Sequence, residues 1–129
     1  MAQANEDVVR RAYQAFNEGD GATLTEVFAE DAVWHAGGSN AVSGTFQGRD
    51  ATFGMFGRLA ELTDASYRVE PQEVSSDGDD VTARHRATAK RGDKALDQLS
   101  TIKFRMSGGQ IAEATETLDD QAAFDAFIA

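Results

Sequence analysis

Val81-Thr82-Ala83-Arg84-His85-Arg86-Ala87-Thr88-Ala89-Lys90 alternates along its whole length. Val81, Ala83, His85, Ala87 and Ala89 fall on one side of an extended chain, and Thr82, Arg84, Arg86, Thr88 and Lys90 on the other. Such a period of two marks a strand with one buried face. It is the second of four such segments, expected near 66–75, 80–91, 95–106 and 110–118. Asp77-Gly78-Asp79, Arg91-Gly92-Asp93-Lys94 and Ser107-Gly108-Gly109 join them. These links are short and made of hairpin residues, so successive strands should pair antiparallel as a meander.

Upstream the period changes. Val9, Ala12, Tyr13 and Phe16 fall at i, i+3, i+4 and i+7, which predicts an amphipathic helix from Glu6 to Glu18 with Asn5 as N-cap and Gly19 as stop. A second helix is expected from Ala22 to Ala29, burying Leu24, Val27 and Phe28, then a strand from Asp31 to Ala36 and a brief one at Thr45-Phe46-Gln47. A third helix runs from Asp50 to Leu62, its buried side carrying Phe53, Met55, Phe56, Leu59 and Leu62. The last, Asp119 to Phe127, should present Phe124 and Phe127 to a sheet edge or a second subunit. Helices cluster before an antiparallel sheet, the α+β pattern. The expected architecture is a conical, curved antiparallel sheet closed by the three helices of the N-terminal half, with an internal pocket, in one domain spanning 1–129.

Bulk properties narrow the function. The 129 residues carry a formal charge of −10, which disfavours nucleic acid and anionic membrane as partners. The basic residues Arg84, Arg86, Lys90 and Arg91 read as a solvated strand face paired with neighbouring acids. No cysteine occurs, and the start of the chain lacks a basic-then-apolar signal pattern, so a cytoplasmic protein is expected. Two histidines give no metal-ligand set, no phosphate-binding glycine motif follows a strand, and Ser39 and Ser43 lack a nucleophile elbow; no metal or cofactor is called for.

Strand parity supplies the candidate site. With His85, the inward face gathers Gln98, Ser100, Ile102 and Phe104 on the next strand and Glu116, beside Ala112, Ala114 and Leu118, on the last. Asp97 points outward, which leaves no acid–base set suited to epoxide hydrolysis. His35 is read as inward with Val33, and Trp34 as an outer-layer or interface residue. Tyr13, Phe16, Met55, Phe56 and Leu59 on the helices complete the pocket wall, Tyr13 as a packing residue whose hydroxyl finds a partner. Histidine titrates near neutrality, so His35 and His85 could divide donor and acceptor roles, with Glu116 orienting one of them. An inward histidine is also a common hydrogen-bonded core residue, and that reading stands beside the catalytic one.

The stretches Tyr13-Gln14-Ala15-Phe16-Asn17-Glu18-Gly19-Asp20, Phe28-Ala29-Glu30-Asp31-Ala32-Val33-Trp34-His35, Ser43-Gly44-Thr45-Phe46-Gln47-Gly48-Arg49-Asp50-Ala51 and Phe104-Arg105-Met106-Ser107-Gly108-Gly109-Gln110-Ile111 resemble a SnoaL-like domain of the nuclear-transport-factor and ketosteroid-isomerase superfamily. The resemblance covers nearly the whole chain and implies the cystatin-like cone. It also implies a homodimer, for which the outer-face residues Arg84, Arg86, Thr101 and Lys103 suit a polar interface. Function is less constrained, since the superfamily includes cyclases, isomerases, dehydratases, epoxide hydrolases and binding proteins. Carried over by position, the isomerase's catalytic aspartate falls at His35, its oxyanion tyrosine at Ala12 and its oxyanion aspartic acid at Ile102, so a standard ketosteroid isomerase is not expected. Three readings remain. They are a cofactor-independent cyclase, isomerase or dehydratase in which His35 removes or relays a proton on a polycyclic or otherwise hydrophobic carbonyl compound, a binding protein for a hydrophobic metabolite, and a dimerisation domain.

Overall fold

In the computed structural model, which describes residues 2–129, the alternating segments form β3 (Arg68–Asp77), β4 (Asp80–Arg91), β5 (Lys94–Ser107) and β6 (Gln110–Leu118). Each connecting hairpin turns on two residues, the first a glycine at positive φ: Gly78 at +64°, Gly92 at +61° and Gly108 at +58°. A side chain at these points would resist that backbone, which is why the turns read so clearly. Ahead of the meander come α1 (Ala2–Glu18), α2 (Gly21–Val27), β1 (Phe28–Ala36), β2 (Gly44–Gln47) and α3 (Arg49–Leu62), and α4 (Gln121–Ile128) follows it. The six strands form one curved, unclosed sheet in the order β2-β1-β6-β5-β4-β3, antiparallel throughout except where β1 lies parallel to β6. This is the expected α+β cone. Its core lies where Val9, Ala12, Tyr13 and Ala15 of α1 and Met55 and Leu59 of α3 meet Val81, Ala83, Ile102, Phe104 and Ala114 of the sheet.

Several boundaries differ from expectation for local reasons. The first helix begins at Ala2, and Asn5 sits inside it with its amide donating to the Gly78 carbonyl at 3.4 Å instead of capping. The second helix is capped by Asp20, whose carboxylate accepts from the Thr23 amide at 3.1 Å and hydroxyl at 2.7 Å. It stops at Val27, so Phe28 opens β1 as an extended residue. Phe124 and Phe127 of α4 are buried within the chain, so this helix closes the protein's own core and does not offer them to a partner. The basic strand face is paired with acids in part: Arg84 meets Asp119 at 2.6 Å and Arg86 meets Asp97 at 2.5 Å, whereas Arg91 donates to the backbone carbonyls of Leu62 and Ala129 at 3.0 and 2.6 Å.

Irregular pairing redirects side chains at two places. The register of β5 against β6 shifts so that Met106 pairs with Ile111 and Arg105 with Glu113. The residue between, Ala112, is the extra one of a bulge, and Ile111 turns inward to full burial although simple alternation put it outside. In β1 the pairing is irregular between Phe28 and Val33. Beyond it Trp34 stands opposite Ala114, and His35 opposite Thr115 and Thr45. Directly paired residues share a face. Ala114 is inward, so Trp34 is buried inside and His35 lies on the outer face, the reverse of the expected parity.

Candidate functional site

Between the helices and the concave face of the sheet lies a cavity of about 70 Å³. Every secondary element from α1 to β6 except β2 reaches it. Its walls include Tyr13 and Phe16 of α1, Trp34 of β1, Met55, Phe56 and Leu59 of α3, His85 of β4, Ile102 and Phe104 of β5, and Glu116 of β6. Leu24, Phe28, Tyr67 and Val69 are pocket residues that sequence reasoning missed. Tyr67 was within reach, because it shares parity with inward Val69 at the start of the predicted strand. The rings are set edge-on: Phe56 meets Trp34 and Phe16 with centroids 5.2 Å apart in each case. An adjoining outer groove is lined by Phe16, Leu24, Phe56 and Tyr67 together with Gly57 and Ala60, so these four side chains separate the inner space from solvent.

Polar groups converge at one end. Tyr13 Oη lies 2.7 Å from His85 Nδ1. His85 Nε2 faces Glu116 Oε2 at 3.7 Å, too far for a hydrogen bond. The hydroxyl of Ser100 donates to the same Oε2 at 2.9 Å. Sheet register explains the cluster: His85 pairs with Ser100 and Ile102 with Glu116, which puts His85 and Glu116 on adjacent rows of the same concave face. His85 is only 1% exposed, and its Nε2 is the one buried side-chain nitrogen or oxygen without a partner among the described residues.

Burial dominates the electrostatics. Desolvation, assisted by the nearby Arg84 charge, pushes the His85 pKa down to about 4, so the ring is neutral at pH 7. Burial raises the Glu116 pKa, partly opposed by the Ser100 hydrogen bond. The Tyr13 and Tyr67 phenols are held protonated, by burial first and by the Glu116 charge second.

The other predicted site residues are placed differently. Gln98 keeps inward parity but leaves the cavity to grip α4: its Nε2 donates to the Asp120 carbonyl at 3.1 Å and its Oε1 accepts from the Asp120 amide at 2.9 Å. Ser100 stands behind Glu116 and does not line the cavity. His35 is separated from the cavity by the sheet itself. On the outer face its Nε2 lies 2.7 Å from Glu113 Oε2 and its Nδ1 3.2 Å from Thr45 Oγ1. Glu113 also accepts from Arg105 at 3.3 Å, and the hydrogen bonds from His35 and Arg105 hold its carboxyl below the usual range. The proton-transfer pair of His35 with His85 is therefore not assembled. No cluster of three or more metal-ligating side chains occurs among the described residues, and no helix there is long and apolar enough to cross a membrane.

The profile of the SnoaL-like domain family matches residues 9–114. An uncharacterised protein of Mycobacterium tuberculosis, Rv0034, is 37% identical over 125 residues, covering 96% of this chain and 95% of its own length. Among solved structures, Bal32a from a soil-derived mobile gene cassette superposes with a TM-score of 0.96 at 40% identity, over 99% of this chain and 98% of that one. SMa1630 of Sinorhizobium meliloti, named as a candidate polyketide cyclase, superposes with a TM-score of 0.72 at 25% identity, over 86% of this chain and 94% of that one.

Proposed function

The chain belongs to the SnoaL-like domain family, and from that premise we propose that it is a cofactor-independent enzyme that moves a proton on a small hydrophobic carbonyl compound, with Glu116 as the proton carrier. The observation that carries this reading is Glu116 itself, an acid on the wall of an apolar cavity with its oxygen turned toward His85. A carboxylate in that setting has a raised proton affinity and, once ionised, is a stronger base than one in water. Cyclisation, isomerisation and dehydration of carbonyl compounds can each begin with removal of a proton from the carbon next to the carbonyl. The likeness to a candidate polyketide cyclase supports the same class of chemistry.

Cavity size limits the substrate. A dry cavity of about 150 Å³ takes benzene, and the space here is about half that. A compound of one small ring fits with modest displacement of Phe16 and Phe56, whereas a polycyclic one requires those rings to swing toward the outer groove. The test needs no natural substrate. Cyclopentanone in D₂O should exchange its α-protons faster with the protein than without it, followed by ¹H NMR, and Glu116→Gln should remove the acceleration. Exchange that is unchanged by Glu116→Gln overturns the reading.

A second reading, a binding protein for an uncharged hydrophobic metabolite, is favoured by the aromatic and aliphatic character of most of the wall. It predicts ligand affinity without exchange.

A further inference from the structure

The hydrogen-bond inventory around His85 leaves little freedom. A neutral imidazole carries one N–H and one lone pair, and a phenol carries one O–H. The Tyr13 hydroxyl has one partner, His85 Nδ1. If Nδ1 carried the proton and donated to Tyr13, the phenolic O–H and the Nε2 lone pair would both be left unpaired inside the protein. If Tyr13 donates to Nδ1, the phenol and Nδ1 are both satisfied, and a single N–H remains, at Nε2. That group is buried and unpartnered, on a ring that forms part of the cavity wall. An unpaired buried donor is costly to the fold, which makes it a group awaiting a ligand atom.

We propose that His85 Nε2–H is the donor that receives the carbonyl oxygen of an uncharged ketone or aldehyde, with Tyr13 as the positioning residue that fixes this tautomer. The substrate class rests on the proton-transfer reading above, and the donor assignment rests on the hydrogen-bond inventory of a buried, neutral ring. The 3.7 Å between Nε2 and Glu116 Oε2 suits the arrangement. The oxygen and α-carbon of a ketone are two bonds apart, so one molecule can place its oxygen at Nε2–H and its α-hydrogen at Glu116. Glu116 then takes the α-proton, and the electron pair of the broken C–H bond forms the carbon–carbon double bond of an enolate. The negative charge arrives on the oxygen already held by Nε2–H, and return of the proton from Glu116 to carbon closes the balance. A preorganised donor in a dry site stabilises such charge without reorganisation. Carboxylate ligands are selected against, because Glu116 would stand against a second negative charge in an apolar space.

The experiment compares cyclopentanone with methylenecyclopentane, which has the same shape and no acceptor oxygen, on protein labelled with ¹⁵N in its histidines. In the free protein His85 should give a protonated Nε2 and an unprotonated Nδ1 at pH 7. Cyclopentanone should shift the Nε2–H resonance downfield and methylenecyclopentane should not. His85→Phe should weaken cyclopentanone binding about tenfold while leaving methylenecyclopentane unchanged. Tyr13→Phe should redistribute the tautomer. A proton resident on Nδ1, or equal responses to the two probes, overturns the assignment, and both are read on the wild-type protein whether or not a variant folds. Contact at Nε2 without α-proton exchange upholds the donor and removes the enzymatic reading. Exchange without any change at Nε2 removes the donor and leaves Glu116 standing.

Discussion

Two histidine–glutamate pairs occupy opposite faces of one sheet, and they share almost nothing but composition. The outer pair, His35 and Glu113, is closed at 2.7 Å, with both side chains over a third exposed and with further partners in Thr45 and Arg105. The inner pair, His85 and Glu116, is open at 3.7 Å, and its histidine is shut away from solvent. Geometry alone would favour the outer pair as the working one. Environment reverses the choice. A solvated pair is screened and its members already satisfy one another, so little remains to act on a substrate. The inner pair has raised proton affinity at Glu116, a neutral ring at His85 and space between them and the apolar wall.

The widest separation between the pairs should appear in turnover. Glu116→Gln keeps the shape of the side chain and removes its base, and should lower α-proton exchange by about 10²- to 10⁴-fold, the usual contribution of a positioned base. Glu113→Gln should leave exchange at the wild-type rate. Equal losses from both would mean that solvent-facing carboxylates reach the chemistry, and the contrast between faces would fall.

Acid should next divide the pairs by the pH at which each loses its contribution. For His85 the folded pKa is about 4 against 6.5 for the free side chain. Between those values the unfolded chain binds a proton that the native state refuses, so stability is fully present above pH 6.5 and is lost as pH falls toward 4. The shift corresponds to about 3 kcal/mol as an order of magnitude. Glu116 works against this: its folded pKa is raised above 4.5, so the native state holds a proton the unfolded chain releases, and its contribution declines as pH rises above 4.5. Glu113, with its pKa lowered, contributes stability that persists above 4.5 and fades only below it. Urea unfolding from pH 7.5 to 3.5 should therefore show a slope between 6.5 and 4 that His85→Gln removes and Glu113→Gln spares.

Tyr13→Phe tests what supports the inner pair. It removes the partner of a buried ring nitrogen without changing shape, and should cost about 1–3 kcal/mol of stability in denaturant titration. A cost near zero would mean that water replaces the phenol, and that His85 is not held by Tyr13.

How much of this contrast can be read from sequence depends on how regular the chain is locally. The meander was legible because its strands alternate cleanly between glycine turns, and His85 and Glu116 were found inward from that alternation alone. Trp34 and His35 lie on the faces opposite to those that simple alternation gives because the pairing of β1 is irregular between Phe28 and Val33, and a single step in register moves every later side chain to the other face. Ile111 was misplaced by the same physics at the Ala112 bulge. Gln98 illustrates a different limit. Its parity is inward, yet a long amide can reach the N-cap of α4, and the backbone N–H and C=O of Asp120 offer better partners than an apolar cavity. Tyr13 sits in a helical stripe that reads as packing, and nothing in that stripe discloses that its hydroxyl meets the ring of a histidine 72 positions away.

The smallest effect is expected at His35, and it is the most direct test of the parity correction. His35→Ala should leave α-proton exchange unchanged, because the sheet lies between this ring and the cavity. It should lower stability by no more than about 1 kcal/mol, the usual range for an exposed ion pair, since Glu113 retains Arg105 and can be solvated in place of the lost partner. High salt should shrink even that difference, which separates a screened pair from a buried hydrogen bond. Measured beside Glu116→Gln, the variant also controls for general damage: a protein that melts like wild type, exchanges like wild type and has lost only its outer histidine assigns any loss in the inner variants to the concave face. A large fall in exchange with an unchanged melting curve would instead require His35 to reach the substrate from the convex side. The sheet would then have to open between β1 and β6, where the parallel pairing carries His35 opposite Thr115.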